Sequence, residues 1–319
     1  MLNTTNNYEI GSYREIAKEI NEIDVWADLE YQIGQLTNGL EKKDVERFLE
    51  DFIELNEDLD AYLKEEQLKE TVKIDDLSNI VEHTINNFYV DLRPEDKRKV
   101  TKLLTNLDTI HTNFITFNYT NLLSIILENC KTKSFKNRFS TNYNFKLPQE
   151  VTYAHGKIGN MVTLGVNDES QFNSKVFNTE DSIYLIKPKS LDLNREDFKN
   201  LAVDRLKGSS IVNVFGMSIG VTDKYWWNLI GNILIEDSKR VLIIHEFLNA
   251  PNSPSPLKVH QIRKEIENRF LNQLDFKHEE KEKIRKQIVI SYKSGNILNV
   301  NLSMYKNVSK NSNILMKVT

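Results

Sequence analysis

Residues 211–227, IVNVFGMSIGVTDKYWW, show how the second half of the chain is built. An apolar, β-branched run ends at a glycine, a short turn follows, and aromatic residues then begin a segment with helical spacing. A strand, a turn and a helix in this order form the repeating unit of α/β sheets. The turn also contains Gly216, Ser218 and Gly220 in the pattern Gly-x-Ser-x-Gly, which carries the nucleophilic serine of α/β hydrolases.

The same alternation of strand and helix patterns extends from this stretch in both directions. Residues 113 to about 292 contain strand-like runs at 113–120, 150–156, 161–168, 239–247 and 287–293, with helical runs at 121–130, 194–209, 222–237 and 256–274 between them. Residues 12–108 instead place apolar residues three or four apart, with hardly any strand pattern. We therefore predict an α/β fold with one mostly parallel, doubly wound, Rossmann-like sheet. A helical region, residues 1–110, packs on the sheet domain, residues 111–319.

Composition and charge exclude several classes of protein. The net charge is −4 with acidic and basic residues interleaved, which leaves no concentrated basic face for nucleic acid. Cys130 is the single cysteine, which excludes an internal disulfide framework and a Cys-rich zinc site. No apolar run approaches the ~20 residues that span a bilayer, and the N-terminus has no signal-peptide pattern. We expect a soluble, cytoplasmic protein with no metal and no membrane partner.

The serine-hydrolase interpretation of the Gly-x-Ser-x-Gly turn lacks its catalytic partners. Such an enzyme needs an acid and then a histidine after the serine, but no acid at a separate strand end precedes His245. The two later histidines lie in highly charged helical sequence. Further residues also separate Ser218 from the helix, for which Thr222 or Asp223 is the better N-cap. Ser218 as a nucleophile is therefore only a minor alternative.

Polar or glycine residues follow three of the predicted strands at the point where each strand ends. They are Asn118 in FNYT, His155 with Gly156 in AHG, and Gly216 with Ser218 in FGMSIG. Ligands of open α/β sheets bind outside the carboxyl ends of the strands. We therefore expect Asn118, His155 and Ser218 to converge on one cleft, with side chains directed to a ligand rather than to the core. The structural alternatives are a helix cap at Asn118, a turn residue at His155 and close packing at Gly216.

Four short motifs together resemble a known family. FNYT, AHG and FGMSIGVTDKYW, preceded by VWADLE, resemble the AbiH family of bacterial phage abortive-infection proteins. That family is in turn similar to the sirtuin-like NAD-binding fold, whose Asn, His-Gly and Gly-Thr-Ser motifs occur in the same order. The resemblance implies phage resistance by abortive infection, in which NAD or a related nucleotide is bound and hydrolysed.

The resemblance also implies a role for each residue of the site. Asn118 would hold the ribose or a water, and His155 would be the general base. Gly156, Gly216 and Ser218 would line the path of the phosphate and ribose. Asp223 would cap the following helix or bind a ribose hydroxyl.

The chain departs from the family pattern at two places. AbiH-like proteins open with an apolar strand and a Gly-Asn-Gly-Phe-Asp loop, and we expect this strand and its phosphate turn to have been lost, replaced or left upstream of Met1. Thr120 also stands where sirtuin-like NADases more often have Asp. These departures favour a second hypothesis, a non-catalytic sensor or partner-binding module that answers a phage-derived trigger. A homo-oligomer is compatible with either hypothesis.

Overall fold

The computed structural model describes residues 26–69, 77–105, 107, 109–130, 134–136, 144–246 and 255–291. The part of the predicted helical region before residue 26 and the residues after 291 lie outside these ranges. In the described ranges, no helix is long and apolar enough to cross a membrane.

The N-terminal part of the chain is helical, as its apolar spacing predicts. Its described residues form four helices, α1 (Trp26–Leu36), α2 (Val45–Lys69), α3 (Leu77–Asn87) and α4 (Pro94–Leu104). Two short 3₁₀ turns, Thr37–Gly39 and Lys42–Asp44, join α1 to α2. Helix α4 begins at a proline because the fixed φ of proline suits a first helical turn, where its missing N–H is not needed.

Strands and helices then alternate through the rest of the described chain. The strands are β1 (Thr109–His111), β2 (Ile115–Thr116), β3 (Ser134–Lys136), β4 (Asn144–Lys146), β5 (Thr152–Tyr153), β6 (Gly156–Lys157), β7 (Asn160–Val162), β8 (Ile211–Phe215), β9 (Val241–His245) and β10 (Ile288–Ser291). The helices are α5 (Leu122–Glu128), α6 (Thr179–Leu185), α7 (Lys187–Lys207), α8 (Lys224–Glu236), α9 (Pro256–Asn272) and α10 (His278–Arg285). Residues 211–227 form the strand, the turn and the helix predicted from their sequence.

The described strands form four small sheets rather than the predicted single sheet. Parallel ladders join β10, β9 and β8, and also β2 and β5. Strands β1, β4 and β3 form a mixed sheet, and β6 and β7 an antiparallel pair. The expectation that residues 113–117 and 211–216 share a sheet is therefore wrong. Strand β2 is only two residues long, and directly after it the Thr116 hydroxyl accepts the backbone N–H of Asn118.

Three apolar cores hold these pieces together. The first packs the sheet of β8, β9 and β10 against α8 and α9, with Trp227 edge-on to Phe270. The side chains of Ile115 and Phe117 join this core, although β2 belongs to another sheet. In the second core, α1 and α2 pack on the apolar residues around β7, and in the third α3, α4 and α5 pack on β5 and β9. The N-terminal helices are thus built into the α/β part, and this carries α1 to the candidate site.

Candidate functional site

His155 lies where β5 ends, and the turn after it is fixed by backbone geometry. The Ala154 N–H donates to the Thr116 carbonyl at 2.8 Å, which holds the end of β5 against β2. Gly156 then adopts a φ of 84°, a left-handed conformation that favours glycine. This turn directs the imidazole inward, where it lies edge-on to Phe117. His155 is only 5% exposed, so the expectation that its side chain avoids the core is wrong.

Asp223 lies at the end of the 3₁₀ turn Val221–Asp223, directly before α8. It occupies the N-cap position, but its carboxylate makes no cap hydrogen bond. Instead, its Oδ1 lies 3.3 Å from His155 Nε2 and 3.0 Å from Lys187 Nζ. The predicted cap residue therefore pairs with a buried lysine and lies beside His155.

Lys187 is the first residue of α7 and is almost wholly buried. Its backbone N–H donates to the Val166 carbonyl at 2.9 Å, which fixes the start of the helix. Space for the lysine stem depends on Gly165, whose φ is 146°, because a Cβ there would lie 2.3 Å from the Leu185 carbonyl oxygen and 3.3 Å from Lys187 Cγ. The ammonium group donates to Asp223 and, at 2.7 Å, to Glu30 Oε2.

Glu30 on α1 completes a group of four ionisable side chains, which we name the buried charge cluster: Glu30, His155, Lys187 and Asp223. The side chains of its members are between 2% and 13% exposed. Buried charges are unfavourable unless they are paired and hydrogen-bonded, and here a single ammonium serves two carboxylates. The cluster joins residues that are up to 193 positions apart (223 − 30) in the sequence.

Burial and mutual attraction set the protonation of the cluster. Burial raises the pKa of Glu30 to about 7, against the attraction of Lys187. Burial would also raise the pKa of Asp223, but Lys187 and His155 outweigh it and the pKa is lowered. The pKa of Lys187 is raised, because its two carboxylates outweigh its burial. Burial and the nearby Lys187 lower the pKa of His155 to about 3, although Asp223 opposes this. Near pH 7 His155 is therefore neutral, Lys187 and Asp223 are charged, and Glu30 is close to half-protonated.

A small cavity of about 10 Å³ adjoins the cluster. Its walls include His155, Lys187 and Asp223, together with Thr222 and Tyr225. A volume of this size holds about one water molecule. The buried Thr222 hydroxyl has no hydrogen-bond partner of good geometry in the described chain, so a water in the cavity would have a polar group to bond. In this conformation the cavity admits a water but not a nucleotide.

The expected cleft brings together only part of the predicted site. Asn118 and Ser218 are not among the residues that line the small cavity, whereas His155 and Asp223 are. Gly216 adopts a φ of 65° at the end of β8, and beyond this turn Ser218 is exposed while Ile219 is buried. The Ser218 side chain makes no hydrogen bond to any residue that the structure describes. Of the three residues expected to converge, only His155 lines the cavity, and both the convergence on a cleft and their roles toward a ligand stay predictions.

The comparison with protein families decides the relationship that the motifs indicated. A family model described as bacteriophage abortive infection AbiH matches residues 3–245. The chain belongs to the AbiH family. All four members of the buried charge cluster lie inside the matched range. No match is found among curated proteins or among solved structures. Membership in the AbiH family implies a part in abortive infection by phage.

The sequence interpretation missed Glu30 and Lys187 of this AbiH site, although the sequence around each residue contains an indication of its role. Glu30 is the last residue of VWADLE, a motif used for the resemblance but given no role. Lys187 is a single charge in the otherwise apolar run Tyr184–Pro188, which indicates a buried lysine in need of partners. The described residues of this AbiH chain include no group of three or more His, Cys, Asp or Glu arranged to hold a metal ion.

Proposed function

We propose that this AbiH chain acts in abortive infection as a hydrolase of NAD or a related nucleotide, with the buried charge cluster as its reaction centre. The observation that supports this proposal is the position of Asp223 Oδ1, 3.3 Å from His155 Nε2, beside a cavity that fits one water. A carboxylate placed beside a histidine is the arrangement of many general bases. Perturbed pKa values in such a group are a further mark of functional sites.

The proposed reaction is cleavage of the bond between C1′ of a ribose and a ring nitrogen. The bonding pair leaves with the ring nitrogen, and a cationic ring thereby becomes neutral. Ionised Asp223 stabilises the positive charge that develops on the ribose, as carboxylates do for oxocarbenium-like transition states. The water adds to C1′ and its proton passes to neutral His155. A base with a pKa near 3 is weak, but it suffices because bond breaking runs ahead of water attack.

The lysine and the glutamate set the charge on Asp223. Ionised Glu30 shares the ammonium group of Lys187 with Asp223, whereas protonated Glu30 leaves that ammonium group to Asp223 alone. A pKa of about 7 allows both states near neutral pH. Removal of Glu30 should therefore alter the pH profile of the reaction rather than abolish it.

The non-catalytic sensor is the second candidate, and the closed cavity favours it. A nucleotide can reach the cluster only after the walls around Tyr225 open, and a phage-derived trigger would have to supply that opening. In the sensor hypothesis the buried charge cluster keeps the protein inactive until the trigger disrupts it, and no substrate is consumed.

The test compares His155→Gln with His245→Gln in infected cells. Both histidines are buried and have a pKa lowered to about 3, but His245 lies on β9 and bonds to Asn213 rather than to the cluster. We expect His155→Gln to lose plaque protection while His245→Gln keeps it, when both variants melt as folded proteins. Loss of a general base lowers a rate by roughly 10²–10⁴-fold. NAD should fall during infection of wild-type cells, and a constant NAD level together with His155-dependent protection would favour the sensor.

A further inference from the structure

An open groove of about 730 Å³ adjoins the small cavity. Asn167, Pro188 and Tyr225 form part of the wall of both spaces. Small-molecule sites have volumes of roughly 300–1,000 Å³, so the groove has the size of a ligand site. The groove is therefore the side from which a ligand would approach the buried charge cluster, with Tyr225 between the two.

The groove is built on one face of α8. Tyr225, Asn228, Leu229 and Asn232 are three or four residues apart, and this spacing places them on the same side of the helix. The opposite walls come from residues 167–170, from Ile186, Pro188 and Lys189 around the start of α7, and from the loop after α9. Helices α7 and α8 and a 3₁₀ turn carry most of the lining residues.

Carboxylates outnumber ammonium groups around the groove. Asp168, Glu169 and Asp275 line it, and Lys189 is the one lining lysine among the described residues. Lys189 pairs with Glu169, and Lys224 pairs with Asp275 from outside the lining. Burial would raise the pKa of Asp168, but hydrogen bonds from Ser170 and Asn167 outweigh it and keep the carboxylate ionised. Three carboxylates thus face two ammonium groups, and this excess of one negative charge disfavours a phosphate group and favours an uncharged or cationic ligand.

The remaining lining suits a flat ring. Leu229, Phe276 and Pro188 provide apolar surface, and Tyr225 provides an aromatic ring. The exposed amide of Asn232 makes no hydrogen bond within the described chain and can bond to a ring substituent. Apolar surface with a few polar groups for orientation is typical of ligand pockets.

We propose that this groove binds the uncharged or cationic heteroaromatic group of the substrate, while the substrate's phosphates lie outside it. The proposal rests on the proposed function only in taking the substrate to be a nucleotide. Residues of α8 would then determine substrate specificity, while the buried charge cluster carries out the chemistry.

The test is calorimetric titration of the full chain with two matched pairs of probes, adenosine and the cationic nicotinamide riboside against their 5′-monophosphates. We expect the nucleosides to bind about tenfold more tightly than the monophosphates at low salt, with a smaller difference at high salt. Leu229→Trp fills the groove and should weaken nucleoside binding by about tenfold or more, which corresponds to one lost ring-sized contact. Leu257→Trp, at an exposed position on α9, is the matched control and should bind as wild type does. Glu169→Lys should reduce the difference in affinity between the nucleosides and their monophosphates.

Several results would overturn the proposal. These are monophosphates that bind as tightly as nucleosides, probes that do not bind at all, and unchanged binding by a folded Leu229→Trp. Asn232→Trp, at an exposed position on the same face, replaces Leu229→Trp if that variant fails to fold. NAD hydrolysis that needs His155 but is unaffected by both tryptophan variants would refute the groove alone. Groove-dependent nucleoside binding without any hydrolysis would refute the proposed function alone.

Discussion

Replacing Lys187 with methionine should be one of the most destabilising single substitutions in the described chain. Methionine fills the space of the lysine stem but leaves the carboxylates of Glu30 and Asp223 without their ammonium partner. Removal of one member of a buried ion pair costs about 3–5 kcal/mol of unfolding free energy. Glu30 can take up a proton near pH 7, so we expect most of this cost to fall on Asp223, which would stay charged beside neutral His155.

Chemical denaturation at pH 7.5 measures this effect, with Lys189→Met as the matched control. Lys189 is two residues further along α7, and its pair with Glu169 is exposed, so the control should lose less than about 1 kcal/mol. Adding Asp223→Asn to Lys187→Met should restore more stability than adding Glu30→Gln. If Lys187→Met does not fold, the double variant with Asp223→Asn supplies the comparison with wild type. A loss no larger than that of Lys189→Met would refute the idea of a coupled buried charge cluster. If Asp223→Asn and Glu30→Gln restored equal stability to Lys187→Met, the inference that Asp223 stays charged while Glu30 takes up a proton would be refuted.

Three further predictions follow from the geometry. Because the pKa of Glu30 is raised in the folded state to about 7 from an ordinary value of 4.5, the folded chain binds more protons between those values, and the contribution of Glu30 to stability falls as the pH rises through them. Glu30→Gln should remove this decline in unfolding free energy, which is at most about 3 kcal/mol. Denaturation of wild type and variant at pH 5.5 and pH 8 measures the decline, and an equal decline in both proteins would contradict the prediction. Gly165→Ala should lower the unfolding free energy by about 2–4 kcal/mol, because the φ of Gly165 is 146° and the added Cβ would meet the Leu185 carbonyl. Gly39→Ala is the control, since nothing lies within 4 Å of a Cβ there. Equal melting temperatures of the two variants would contradict the prediction. Ser218→Ala should leave the melting temperature unchanged and remove no serine-hydrolase activity, because no catalytic triad is available, whereas fluorophosphonate labelling that depends on Ser218 would restore the serine-hydrolase alternative.

The local elements of the fold could be predicted from the sequence because their signals are local. The β-branched run at 211–215, the turn at Gly216 and the helix from Lys224 follow from neighbouring residues alone. The division into small sheets could not be predicted in the same way. Strand β2 ends at a hydrogen bond between the Thr116 hydroxyl and the Asn118 N–H, and strand propensity does not report such a bond.

The candidate site shows the same contrast between local and distant information. His155 and Asp223 could be proposed because each stands beside a recognisable strand end or helix start. Glu30 and Lys187 could not be paired, since they are 157 residues apart and meet only in the folded chain. The position of Ser218 relative to the site depends on the direction of the chain after Gly216, which the local sequence pattern does not determine.

The ion pair between Glu30 and Lys187 has a consequence for the order in which the protein is made. During synthesis, α1 is complete long before Lys187 and Asp223 exist, so a nascent chain carries the glutamate without its partners. The reaction centre proposed for this protein is therefore assembled only after residue 223 has been translated. Unfinished chains lack the complete centre, and chains truncated before residue 187 should give no plaque protection when expressed in cells.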